Sequence, residues 1–255
     1  MTDTLCIRPL RCDHCGCELP VMGQLVTFQC PGCFRYWVLA GDGLEPIAVF
    51  RAAPPEGGPA ADAGPDAAAP VYLPFWIAEI DPSAVKRQIE TAVEELQGAT
   101  QAMLGTGFEG DCAPRMPASS EIAYLSGRLG SMGSLRIFVP AFKSLNTYAY
   151  LKVGRLFTRI QPAYTLERSD GAGRPVLCAL RAEEAVPLVD FIFFATLPES
   201  IQTNGDLLER IRLAPERPPR LVEFPFRTRG ASLVSIIGGF WISGRLVEGV
   251  GSLVE

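Results

Sequence analysis

Apolar positions along the chain recur with two periods. Between Asp81 and Gly98, residues Val85, Ile89, Ala92, Val93 and Leu96 fall at helical spacing. Asp81 offers an N-cap, Pro82 occupies the first turn where its missing N–H costs nothing, and Gly98 offers a stop. A second helix is predicted from Ser144 to Gln161, ended by Pro162, with Leu145, Ala149, Val153, Leu156, Phe157 and Ile160 facing the core. Residues 98–133 read as a long loop holding one short helix, Ser120 to Gly127. Another helix begins at Ala182–Ala185, and the apolar run 188–195 reads equally as its end or as a buried strand. Residues 206–213 form a short helical or extended piece.

Strand patterns are predicted at Leu25–Phe28, Phe34–Leu39, Ile47–Phe50, Val71–Ile80, Ile137–Phe142, Val176–Leu180, Leu221–Thr228 and Ser232–Trp241. The last two read as a hairpin around Arg229-Gly230-Ala231. Pro74, Pro140 and Pro225 each sit inside such a run, close to a phenylalanine. Proline cannot donate to a ladder, so these three are expected to be edge or bulged strands, and together a weak internal repeat. Strands and helices without regular alternation make the fold class α+β.

Residues 52–70 break the pattern with Pro, Gly and Ala, a composition that buries too little to offset its ordering entropy. The expected organisation is therefore a small module over 1–51, a linker over 52–70 and a body over 71–255. With 48% hydrophobic residues the body can build a core. A net charge of −5 argues against broad electrostatic binding of nucleic acid. The apolar run from Ala231 to Ile242 is too short to span a bilayer, and Met1–Cys6 has no secretory pattern. These features predict a cytoplasmic protein.

Cys12-Asp13-His14-Cys15 is answered by Cys30-Pro31-Gly32-Cys33. Two tight Cys-x-x-Cys turns aim four sulfurs at one point, the tetrahedral donor set of a closed zinc site. A disulfide framework is the weaker reading in a chain without a secretory signal. Cys6, Cys17 and His14 crowd the same stretch as rival ligands, and iron satisfies four thiolates as well as zinc does. The spacing, with a strand entering the second turn and another leaving it, resembles the zinc ribbon (rubredoxin-like) family over residues 10 to 50. The resemblance implies Cys12, Cys15, Cys30 and Cys33 as ligands. This chain departs from the family at Phe34, where a glycine usually follows the second pair. Zinc ribbons serve many kinds of protein, so the resemblance implies a module and not an activity.

The chain's one histidine lies in the ribbon, which excludes a histidine-based triad in the body. No nucleotide fingerprint, His-Glu-x-x-His or Gly-x-Ser-x-Gly is present. Glu79, Asp81, Asp190 and Glu223 are scattered, and Cys112 and Cys178 have no adjacent base, so a catalytic site is not expected. On the second long helix, Tyr148, Lys152, Arg155 and Arg159 align at i, i+4, i+7 and i+11, opposite the apolar face. This is either a solvated basic side or a surface for an acidic partner. The expected function is a non-catalytic, metal-stabilised adaptor or accessory subunit that binds another protein. The alternatives are nucleic-acid binding through the ribbon and the basic helix, and rubredoxin-like electron transfer by an iron-loaded ribbon.

Overall fold

The computed structural model describes residues 9–20, 25–40, 43–55, 69–105, 118–144, 146–169, 174–175 and 178–248. A small antiparallel sheet opens the chain, made of β1 (Thr27–Gln29), β2 (Tyr36–Ala40) and β3 (Gly43–Ile47). The larger, mixed sheet begins with β4 (Val49–Ala53) and β5 (Val71–Ile80) and continues after helices α1 (Pro82–Gly105) and α2 (Ser119–Gly130). It adds β6 (Leu135–Pro140) and then, after α3 (Thr147–Ile160), β7 (Thr165–Arg168) and β8 (Arg174–Pro175). Three helices follow: α4 (Ala182–Phe194), α5 (Glu199–Gln202) and α6 (Gly205–Leu208). The chain closes with β9 (Arg220–Arg229), β10 (Ser232–Ser235) and β11 (Trp241–Ser243). This is an α+β fold.

β5 and β9 form the middle of the large sheet. β9 pairs antiparallel with β5 and β10 and parallel with β4; β6 flanks β5 on its other side. The expectation that β5 and β9 are edge strands is therefore corrected. Their nearly continuous burial is what a strand covered on both faces shows. The prolines survive because each stands where one neighbour's ladder stops. Pro74 lies one step beyond the Phe75↔Pro140 pair; Ala141 N–H donates to Pro74 O at 2.9 Å. Ala141 O then accepts from Ala179 N–H, at 2.6 Å, instead of from a proline nitrogen. Pro225 lies one step beyond the Phe226↔Ser235 pair, where Ile236 N–H donates to its carbonyl. Of the three, only β6 pairs with a single strand.

Alternation along these strands builds two cores. Trp76, Ala78, Ile80, Ile137, Val139 and Leu221 face one way, toward Val85, Ile89 and Leu96 of α1, Leu125 and Leu129 of α2, and Val189 and Ile192 of α4. Leu73, Phe75, Ile77, Phe138, Phe224 and Phe226 face the other way, with Val153 and Phe157 of α3. Phe157 is the hub of a ring cluster, with centroids 4.7 Å from Phe75 and 5.0 Å from Phe224. Such edge and tilted contacts add about 0.5–1.5 kcal/mol each beyond burial.

Several boundaries move. Gly98 does not end α1, which continues to Gly105; a lone helical glycine costs only about 1 kcal/mol. α2 is longer than predicted, and α3 begins at Thr147 rather than Ser144. The ambiguous run 188–195 is helix as far as Phe194, with Ala195 as its C-cap: Ala185, Val189, Ile192 and Phe193 share a buried face. Cys178 makes only an isolated bridge to Phe142, so no strand runs through the described part of Val176–Leu180; residues 176–177 lie outside it. The last predicted strand is broken by a turn after Ser235, and residues 206–213 hold only the end of α6 and coil. The predicted third ribbon strand divides at Ala48. Ile47 ends β3 on the small sheet, whereas Val49 starts β4 on the large one. Ala52 and Ala53 of the expected linker belong to β4, and residues 56–68 lie outside the described part.

The small sheet is docked on the large one. Cys178 O accepts from Val26 and Thr27 N–H, and Cys178 N–H donates to Thr27 Oγ1 at 3.1 Å. Tyr36 of β2 reaches through to Glu223 of β9, its hydroxyl donating to Oε1 at 3.0 Å.

Candidate functional site

Cys12, Cys15, Cys30 and Cys33 place their sulfurs within 4.8 Å of one another. Two nearly identical turns do this. Gly16 N–H donates to Cys12 O at 2.8 Å, and Phe34 N–H to Cys30 O at 2.9 Å. Both turn residues have positive φ, 73° for Gly16 and 60° for Phe34. The departure at Phe34 leaves the second turn's shape intact and places a side chain in the left-handed region, which costs about 1–2 kcal/mol. A tetrahedral ion with ~2.3 Å bonds to sulfur sets sulfurs about 3.8 Å apart. The Cys12–Cys33 and Cys15–Cys30 pairs lie at 3.5 and 3.4 Å. The donor set thus fits a metal ion, and the group can hold one.

Electrostatics agree. Burial works against the Cys12 thiolate, but the backbone N–H groups of Cys15 and His14, with hydrogen bonds from the Cys33 and Cys30 sulfurs, bring the thiol down to about 6. The Cys17 backbone N–H favours the Cys15 thiolate, yet the other three sulfurs and burial raise that thiol; the Arg35 backbone N–H favours the Cys33 thiolate, yet burial and the Cys12 and Cys30 sulfurs raise it. Four sulfurs this close ionise together only around a cation. Of the rival ligands, His14 is an exposed turn residue and Cys17 is outside the four-sulfur group, its Sγ against Gly32. Cys6 lies outside the described residues.

On α3, Tyr148, Lys152, Arg155 and Arg159 are all exposed, Tyr148 at 79%. Val153 and Phe157 are buried as expected, but Leu156 is only half-buried and Ile160 is exposed, a correction to the predicted core face. Leu145 and the side chain of Ala149 lie outside the described residues. The buried stripe instead runs through Val153, Gly154, Phe157 and Thr158, because Gly154 lets α3 close onto β6. Leu156 is thereby turned toward α4. The four predicted residues line one groove of about 340 Å³, together with Leu151, Leu156 and, from α4, Phe191 and Ala195. Phe191 is 54% exposed and was not foreseen. Its signal was present: once 188–194 is helical, Ala185, Val189 and Ile192 take the inner face and push Phe191 outward.

Arg155 and Arg159 also line a second cleft of about 570 Å³, with Arg128, Thr158, Thr196 and Leu197. The C-terminal ends of α2, α3 and α4 converge there, and Arg128 Nη2 donates to Arg159 O at 2.8 Å. Cations in that cleft offset the partial negative charge of helix ends.

Each scattered carboxylate has a structural partner. Glu79 pairs with Arg220, Asp81 Oδ1 caps α1 through Ser83 N–H, and Asp190 Oδ1 accepts from Leu213 N–H. Glu223 is buried, receives hydrogen bonds from Arg51, Tyr36 and Ser169, and has its carboxyl raised by that burial. Cys178 donates to Leu180 O, and burial pushes its thiol up to about 12. Cys112 lies outside the described residues. No helix among the described residues is long and apolar enough to cross a membrane. Comparison with protein-family models, curated proteins and solved structures finds no match to this chain.

Proposed function

We propose that the chain is a metal-stabilised, non-catalytic adaptor or accessory subunit that engages another protein through α3 and α4. The carrying observation is the groove, where a row of three cations and two exposed aromatic rings, Tyr148 and Phe191, meet on one surface. Exposed aromatic and arginine side chains in one patch are the usual anchors of a protein interface. The sulfur cluster holds zinc in a structural role, since its four donors leave no open position for substrate.

The test is affinity purification of the tagged full chain from its native host beside Lys152→Gln/Arg155→Gln/Arg159→Gln. The triple variant folds normally, because exposed charges contribute little to stability. A partner recovered with the wild type is expected to be lost with the variant; equal recovery overturns the reading. A mobility-shift titration across a salt series separates nucleic-acid binding, whose affinity falls steeply with salt. Elemental analysis is expected to give one zinc per chain. A coloured, iron-loaded protein instead supports electron transfer.

A further inference from the structure

The groove constrains what can lie in it. Tyr148 to Arg159 spans three turns of α3, about 16 Å at 1.5 Å per residue, so one edge is a straight cationic and aromatic row. The opposite edge, from α4, is Phe191 and Ala195 and brings no cation. Leu151 and Leu156 lie between. None of the ion pairs among the described residues uses Lys152, Arg155 or Arg159. Glu199 shares the second cleft with Arg155 and Arg159 but pairs with neither among the described residues, so in a chain with 28 acidic and 23 basic residues these three adjacent cations are open to a carboxylate from outside. Arg159 sits in the last turn of α3 and partly offsets that helix end. Lys152 and Arg155, away from the end, are the freer charges.

Both walls are helices, whose backbone groups are already paired, so an occupant cannot bind by extending a sheet. It must present side chains: apolar ones into the groove and acidic ones along a single flank. An amphipathic helix does this with apolar residues at i, i+3 or i+4 and i+7. A polyanion fits less well, because the floor is apolar, the cations line one edge only, and the net charge of −5 repels it at longer range.

We infer that the α3–α4 groove binds an acidic amphipathic helix of another protein, its apolar face against Leu151, Leu156 and Phe191 and its carboxylates on Lys152 and Arg155. This rests on the adaptor reading and adds the partner's chemistry.

The experiment is selection of a displayed library of random 16-residue peptides on the immobilised full chain. The enriched peptides are then synthesised and titrated against wild type, Lys152→Gln/Arg155→Gln and Phe191→Ser, each checked for folding by circular dichroism. Enriched sequences are expected to carry Leu, Ile or Phe at i, i+3 or i+4 and i+7, with two or more Asp or Glu on one flank. They are expected to bind each variant about tenfold more weakly than wild type, with affinity falling as salt rises for wild type and flatter for the charge variant. Enriched peptides that are basic or lack helical spacing overturn the inference, as does binding indifferent to both variants. Retention of a poly(U) 20-mer that the charge variant abolishes assigns the face to nucleic acid and overturns it too. If the selection fails while the host partner still depends on Lys152, Arg155 and Arg159, only the helical chemistry falls. If the host partner is indifferent as well, the adaptor reading falls with it.

Discussion

In the N-terminal module, the apolar cluster around the sulfurs is Cys12, Leu19, Phe28, Cys30 and Trp37, and two of these are sulfur donors. In the body, two apolar layers cover opposite faces of one sheet, and the second is knitted by phenylalanines around Phe157. A module of some forty residues buries too little surface to hold itself, and an ion on its four sulfurs would take the place of a core. The two parts then meet through specific polar contacts: Tyr36 and Thr27 reach from the ribbon to Glu223 and Cys178. Modules stabilised by different means are thus coupled, and perturbing each one measures how strongly.

The largest expected effect is on the metal site. Chelation, or Cys30→Ser, removes a contribution of about 10–16 kcal/mol apparent and unfolds the ribbon. Docking carries the loss further. Glu223 forfeits the Tyr36 hydroxyl, and a loss of about 2 kcal/mol there lowers the body's melting midpoint by about 4–8 °C. Thermal melts with and without chelator, with hydrogen exchange read around Cys178 and Glu223, check this. An unchanged body means that the two parts are energetically independent.

Next comes the seam. Glu223→Ala leaves Arg51 without its carboxylate and is expected to destabilise by about 3–5 kcal/mol, against about 2 kcal/mol for Tyr36→Phe, which removes one donor from the same carboxyl. Burial raises the Glu223 carboxyl, so the folded state holds its proton more tightly than the unfolded chain, whose carboxyl titrates near 4.3. Stability of wild type relative to Glu223→Gln should therefore decline as pH rises from about 4 through that raised value. Urea melts of the two proteins at several pH values give the sign; a difference that grows with pH contradicts the burial argument.

A smaller effect tests the body alone. A Cβ at Gly154 would lie 2.7 Å from Phe138 O and 2.9 Å from Pro140 Cδ. Gly154→Ala should push α3 off β6 and cost about 1–3 kcal/mol despite alanine's better helix propensity. A stabilised variant in a denaturant melt means that the helix can shift freely. The smallest effect sits in the ribbon's turns. Phe34→Gly should gain about 1 kcal/mol and Gly16→Ala lose about as much, read as opposite shifts in the ribbon's unfolding midpoint at fixed metal. Equal shifts of one sign break the equivalence of the two turns.

The sulfur cluster was legible because its geometry is local. Two residues between paired cysteines form a turn whatever the rest of the chain does. The basic row on α3 was legible for the same reason, since a helix places i, i+4, i+7 and i+11 together by its own period. The groove was not legible, because its other wall comes from α4, about forty residues on, in a stretch whose periodicity fits strand and helix alike. Asp81 as a helix cap followed from neighbouring residues; Gly98 as a stop did not hold, because one glycine costs a helix only about 1 kcal/mol and α1 runs past it to Gly105.

By itself, then, the sequence determined what depends on neighbours in the chain: the two cysteine turns, the caps, the helix periods and the α+β class. Tertiary structure decided what depends on partners far away. Pro74 and Pro225 read as edge markers until their neighbours are known. They lie in central strands because Ala179 donates to Ala141 O and Ile236 to Pro225 O, bonds that no local pattern encodes. Tyr36 and Glu223 are 187 residues apart, and a carboxylate that looks unremarkable in the chain becomes the buried link between ribbon and sheet. A proline's missing donor and a buried charge are tolerated only where a distant group completes the hydrogen bonding, and only folding reveals which group that is.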